Sequence, residues 1–151
     1  MAPALGSCFC RNIQVEYTGQ PYKTALCHCY DCRKLTGSLY TYSFVVKRSE
    51  LKVSGPGTPK EVAKTADSGN HINNYFCPDC GTLLFGWRVD ASGEPTDEIV
   101  ILRAGILDDP RYLDGFKPEA EVYTCGRLKW VEEVGNAEQF LTMPAPAVLG
   151  R

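Results

Sequence analysis

Cys27, Cys29 and Cys32 place three thiols within six residues of the run Cys27-His28-Cys29-Tyr30-Asp31-Cys32-Arg33-Lys34. In an extended segment the side chains at i and i+2 share a face, so Cys27 and Cys29 aim their sulfurs at one point, and a following turn brings Cys32 to it. Three thiolates make a metal claw, and a zinc ion held by three protein ligands keeps one position for water or substrate. His28 sits between two of these ligands and is a candidate for proton transfer. On an extended segment it points away from the face that Cys27 and Cys29 share, which makes it a poor ligand for the same ion. The rival reading is a closed structural site completed by Cys125 or His28, and spacing leaves both readings open. Cys125 otherwise reads as a small buried apolar residue.

Four further cysteines come in two pairs, Cys8 with Cys10 and Cys77 with Cys80 in Cys77-Pro78-Asp79-Cys80-Gly81. The second pair has the form of a zinc knuckle, two thiolates on a tight turn that Gly81 permits. Cys8 and Cys10 are the natural partners to complete a tetrahedron, which would pin the start of the chain to its middle and contribute directly to folding. Joining Cys77 and Cys80 to two cysteines of the claw is the alternative. Disulfides fit less well, because Cys-x-Cys is a poor frame for a local bridge and clustered cysteines in a reducing compartment are more often metal ligands.

At 151 residues the chain suits a single domain, 1–151, and 44% hydrophobic with 23% charged residues is ordinary globular composition. A formal net charge of -2 without a run of Lys and Arg predicts no nucleic-acid partner. No apolar run approaches the length that spans a bilayer, and Met1-Ala2-Pro3-Ala4-Leu5 is too short and uncharged for a signal peptide, so a cytosolic protein is expected.

The elements that must position the thiols are strands. Ile13, Val15 and Tyr17 alternate with polar residues, Tyr22 to Cys27 delivers the claw, and Asp31 to Leu35 reads as a helical turn stopped at Thr36-Gly37. Leu39 to Val46 is the richest stretch in aromatic and β-branched residues and is expected at the centre of a sheet. Shorter strands are expected at Leu51–Val53, Glu61–Thr65, His71–Phe76, Leu83–Val89, Glu98–Ala104 and Glu121–Thr124. Ile106 to Pro118 reads as a surface loop, Trp130 and Val131 as packing residues, and the end as a Pro- and Ala-rich tail. The pattern predicts an all-β fold of several short antiparallel sheets pinned by structural zinc. Arg33, Lys34, Arg88 and Arg103 are by default solvated charges, unless one lies beside the metal and binds a carboxylate. Tyr30, Tyr40, Tyr42, Phe44, Phe85 and Trp87 are by default core or pocket wall.

Taken together, Gly6-Ser7-Cys8-Phe9-Cys10, the claw with Gly37-Ser38, and Phe76-Cys77-Pro78-Asp79-Cys80-Gly81-Thr82 resemble the glutathione-dependent formaldehyde-activating enzyme family, whose domain is shared with centromere protein V. The resemblance implies a zinc-pinned arrangement of antiparallel sheets, a structural zinc on Cys8, Cys10, Cys77 and Cys80, and a catalytic zinc on Cys27, Cys29 and Cys32. It also implies glutathione and a small aldehyde, or a glutathione adduct, as partners, in a carbon-sulfur lyase reaction of the S-(hydroxymethyl)glutathione synthase type. A non-catalytic glutathione carrier and a structural zinc module for protein interaction are the rivals. The family usually has glycine where this chain has Arg11; if that position needs a positive φ, Asn12 is expected to take the turn.

Overall fold

The computed structural model describes residues 2–66 and 68–145; Met1, Asp67 of the expected turn before Ser68, and the end of the Pro- and Ala-rich tail from residue 146 lie outside the described residues. In chain order the elements are β1 (Ala4–Ser7), β2 (Gln14–Tyr17), β3 (Lys23–Cys27), α1 (Tyr30–Thr36), β4 (Thr41–Lys47), β5 (Leu51–Ser54), β6 (Lys60–Thr65), β7 (His71–Phe76), β8 (Leu83–Val89), β9 (Ile99–Arg103), α2 (Pro110–Gly115), β10 (Ala120–Val122) and β11 (Glu138–Gln139). The all-β class expected from the sequence holds. The strands gather in a three-stranded sheet ordered β1-β2-β5 and an eight-stranded sheet ordered β11-β10-β3-β4-β9-β8-β7-β6. β10 runs parallel to both β3 and β11, whereas the pairs from β3 through β6 are antiparallel. A parallel neighbour needs a long crossover, and most of the chain lies between β3 and β10.

β4 is central, as its composition predicts, and the alternation along it separates two faces. Phe44 and Val46, with Val100 and Leu102 of β9 and Phe85 of β8, join Ile13, Val15 and Tyr17 in one buried cluster. The residues between them face the other way. Register places Val62, Asn74, Gly86, Ile101 and Val45 in one row across β6, β7, β8, β9 and β4, and Ala25, Ser43 and Arg103 in the next. Directly opposed residues share a face, so this second face carries Cys27 at the end of β3 together with a field of Val and Ile.

Three local expectations are corrected. The stretch from Ile106 is not a plain surface loop: Ile106 and Leu107 are buried, and Asp109 caps α2 by accepting a hydrogen bond from the Arg111 N–H at 2.9 Å, with Pro110 in its first turn. An Asp-Pro pair is a helix-start signal, and Tyr112, Leu113 and Phe116 then pack on the core. Trp130 is exposed and Val131 only half-buried, because residues 127–137 run as turns rather than as a strand with a buried face. No strand was expected at Ala4–Ser7, where β1 forms; glycine stands at position 6 inside it because a Cβ there would run into the Ile106 carbonyl. Among the described residues no helix is long and apolar enough to cross a membrane.

Candidate metal centres

Cys8, Cys10, Cys77 and Cys80 converge, with their four sulfurs within 4.8 Å of one another. Cys10 Sγ lies 3.5 Å from Cys8 Sγ and 3.7 Å from Cys77 Sγ. A tetrahedral ion with metal-sulfur bonds of about 2.3 Å needs sulfurs about 3.8 Å apart, so the donors suit zinc with little adjustment. The alternative pairing of Cys77 and Cys80 with the claw is not the one formed. Both turns are built for the purpose. Gly81 takes φ 76° and its N–H reaches the Cys77 carbonyl at 2.8 Å, while the Ile13 N–H donates to Cys8 Sγ at 3.3 Å. The turns are also tied to each other by Asn12 Nδ2 donating to Asp79 at 2.9 Å and by the Phe9 N–H donating to Thr82 Oγ1 at 3.0 Å. Arg11, not Asn12, adopts the left-handed conformation, at φ 65°. Asn12 is needed for Asp79, so the arginine takes the position that suits glycine, at about 1 kcal/mol.

The second group is Cys27, Cys29 and Cys32, again with sulfurs within 4.8 Å of one another. Three different pieces of backbone bring them there. Cys27 ends β3, Cys29 is the N-cap of α1, where its sulfur accepts the Cys32 N–H at 3.3 Å, and Cys32 lies in the first turn. Gly37, at φ 64°, ends the helix and returns its N–H to the Arg33 carbonyl, as the Thr36-Gly37 signal predicts. Three crowded thiols cannot all ionise alone: hydrogen bonds with Cys29 and Cys32, and then burial, push Cys27 up, while hydrogen bonds from Cys27 and Cys29 pull Cys32 down to about 2. A divalent cation removes that conflict, so the donor set fits a metal ion as the first group does.

Among the described residues no fourth Cys, His, Asp or Glu atom joins these three sulfurs. Cys125 is exposed, not buried as expected, and stands apart from them in the turn after β10. His28 is buried on the opposite face of the extended run, 1% exposed, with Nε2 2.6 Å from Glu121 Oε2. Glu121 is itself fully buried and collects the Arg127 guanidinium at 3.1 Å, the Val134 N–H at 2.6 Å and Gln139 Nε2 at 3.2 Å. Burial pushes the Glu121 pKa up, but the hydrogen bonds from Val134, His28 and Gln139 and the charge of Arg127 outweigh it and hold the carboxyl below its ordinary range. As a carboxylate it only accepts, so His28 presents an Nε2–H to it.

Glu121→Ala is expected to lower stability by about 3–5 kcal/mol in denaturant titration, because it strands the buried His28 and the partly buried Arg127. The folded pKa of Glu121 lies below the unfolded one, so its stabilising contribution is present above the ordinary carboxylate pKa and is lost as pH falls through the lower folded value. Between those two values the wild type should therefore lose stability with falling pH more steeply than the variant.

The three sulfurs open onto a cavity of about 310 Å³ on the second face of the large sheet. Arg103, left as an ordinary charge by sequence reasoning, lies in its wall, with Nη1 donating to Ser43 Oγ and Nη2 to Asn74 Oδ1, each at 3.0 Å, and with Nε buried without a partner. Among the described residues it forms no ion pair, whereas Arg88, in the same wall, is paired with Asp97. Its positive charge also helps to hold Cys32 down. Tyr42, Phe44 and Phe85 belong to or pack on the core cluster, Trp87 packs on it and also lines the cavity, and Tyr30 lies at the cavity.

A β-protein with a closed four-thiol centre and a three-thiol centre facing a cavity is the class that fold and site define. Residues 3–126 match the profile of the glutathione-dependent formaldehyde-activating enzyme family, and the chain belongs to it. It is similar to proteins named for that family from Aspergillus flavus, at 31% identity over 81 residues covering 52% of this chain and 41% of that protein. A relative from Penicillium rubens is 33% identical over 81 residues, 52% of this chain and 41% of that one. One from Podospora anserina is 32% identical over 80 residues, 52% and 36% respectively. The match spans about two fifths of the length of these relatives.

Proposed function

We propose that this chain, acting as a single domain in a reducing compartment such as the cytosol, joins a small thiol, glutathione or a relative of it, to an aldehyde and also runs the reverse carbon-sulfur cleavage. In the forward direction a sulfur-carbon bond forms, the carbonyl π bond breaks, and the thiol proton ends on the new hydroxyl; no oxidant or reductant is needed. The observation that carries the reading is the set of three sulfurs, joined by no fourth Cys, His, Asp or Glu among the described residues, facing a cavity. Zinc held by Cys27, Cys29 and Cys32 would offer one further position to a thiol and keep it as thiolate near neutrality.

The chain's own residues do the remainder. Cys8, Cys10, Cys77 and Cys80 would hold a structural ion, which would fix the β1–β2 turn against the end of β7. Arg103 lies in the cavity wall with neutral partners and takes an anionic group of the incoming thiol, which orients it beside the three sulfurs. His28 lies off the cavity, and through Glu121 it positions the segment between Cys27 and Cys29 without meeting substrate. The proton transfers pass through water entering the cavity mouth.

Exchange spectroscopy of the glutathione and formaldehyde equilibrium, with catalytic amounts of metal-loaded protein, tests the reading. Faster interconversion supports an enzyme; stoichiometric thiol binding with unchanged rates for formaldehyde and for longer aldehydes alike makes the protein a carrier and contradicts the proposal. Arg103→Gln is expected to lower kcat/KM by roughly ten- to hundredfold, the worth of about 1.5–3 kcal/mol for a charged hydrogen bond, with the circular dichroism spectrum unchanged.

A further inference from the structure

The cavity beside the three sulfurs is larger and more apolar than a one-carbon aldehyde requires. Its volume of about 310 Å³ reaches the lower end of small-molecule pockets, about 300–1,000 Å³. Four of its wall residues, Val45, Ile72, Ile99 and Ile101, are aliphatic side chains on the second face of the large sheet, and Val62 on the edge strand β6 extends them while 41% exposed. The eight-stranded sheet thus has one apolar face and a second on which this aliphatic field lies beside Ser43, Asn74 and Arg103. One is closed by the three-stranded sheet, and the other is left open at the three sulfurs. Glutathione alone does not account for such a wall, because its two carboxylates and its ammonium are polar and gain nothing from burial against Val and Ile. Formaldehyde contributes a single carbon. Arg103, in the same wall, has the neutral Ser43 and Asn74 as hydrogen-bond partners and no ion pair among the described residues, so its charge suits an occupant with an anionic part as well as an apolar one.

We propose that the adduct made or cleaved beside Cys27, Cys29 and Cys32 carries an apolar group of several carbons, seated against Val45, Ile72, Ile99 and Ile101, with an anionic group at Arg103. This rests on the thiol-aldehyde reading above and narrows it: the aldehyde is a longer aliphatic one rather than formaldehyde. The chemistry balances as before, the thiol S–H adding across the C=O so that the S–C bond forms and the proton passes to oxygen.

Calorimetric titration of metal-loaded protein with S-methyl-, S-propyl- and S-hexylglutathione reads the seat without any turnover. Kd is expected to fall roughly fourfold per added methylene, hence roughly a thousandfold from S-methyl to S-hexyl. Ile101→Asp is expected to flatten the series. Val62→Asp, at an exposed edge position that tolerates a charge, should weaken S-hexyl binding more than S-methyl binding even if Ile101→Asp does not fold. A second arm compares acceleration of glutathione addition to formaldehyde and to hexanal, with hexanal expected to be favoured. A flat binding series alongside accelerated formaldehyde exchange overturns the apolar seat and leaves the thiol-aldehyde reading standing. A steep series with neither aldehyde accelerated supports the seat and removes that reading.

Discussion

Cys77→Ser is expected to unfold the domain. Cys77 is fully buried, and its sulfur belongs to a four-thiol group whose members lie far apart in sequence, Cys8 and Cys10 at one end and Cys77 and Cys80 at the other. Zinc bound in such a site contributes about 10–16 kcal/mol of apparent binding free energy in small zinc domains, against a total stability of about 5–15 kcal/mol for a typical domain. Removing one thiolate weakens the ion enough to reverse the sign of that balance. It also leaves a buried hydroxyl among the remaining thiols. Among the described residues, the hydrogen bonds then left between the β1–β2 turn and the end of β7 would be those of Asn12 with Asp79 and Phe9 with Thr82. Loss of amide dispersion in a two-dimensional NMR spectrum, and of the β signal in circular dichroism, is the expected outcome; a folded variant would show that the sheets do not need the centre.

Cys29→Ser should do the opposite, with turnover falling to the uncatalysed rate while the fold survives. Cys29 is the N-cap of α1 and accepts the Cys32 N–H through its sulfur. Serine is among the best N-cap residues, so the replacement keeps the cap while it removes the thiolate. Cys29→Ala would remove both and lose about 1 kcal/mol of helix stability. Metal analysis of Cys29→Ser should fall from two ions per chain to one, with the melting temperature within a few degrees of wild type. Equal unfolding of the Cys29 and Cys77 variants would abolish the division of labour between the two centres.

The thiol groups were legible from spacing because ligand chemistry is local: Cys-x-Cys where a strand ends, Cys-x-x-Cys on a turn, and a helix that starts where the third sulfur must arrive. Strand positions were legible for a similar reason, since β2 follows a period-two pattern and β4 is dense in aromatic and β-branched residues. What escaped depends on the order of strands. Arg103 becomes a cavity residue because β9 lies between β4 and β8, which places it opposite Ser43, a pairing across 60 residues that no window of sequence contains. Glu121 escaped for a different reason. A charged residue inside Ala120-Glu121-Val122 looks like the polar side of a short strand, yet it is fully buried and accepts four hydrogen bonds. Its isolation between two apolar neighbours was the signal available. The start of α2 was likewise written in Asp109-Pro110, a cap and first-turn pair hidden among loop residues.

Zinc-edge X-ray absorption on the purified protein, with metal content measured on the same sample, tests the central claim most directly. With four sulfurs in one group and three in the other, the account predicts two zinc ions per chain and an average of about 3.5 sulfurs per ion, rising to about 4 when glutathione is added. Full four-sulfur coordination of both ions in the absence of any added thiol would contradict it, because a side chain of the protein would then occupy the place reserved for substrate.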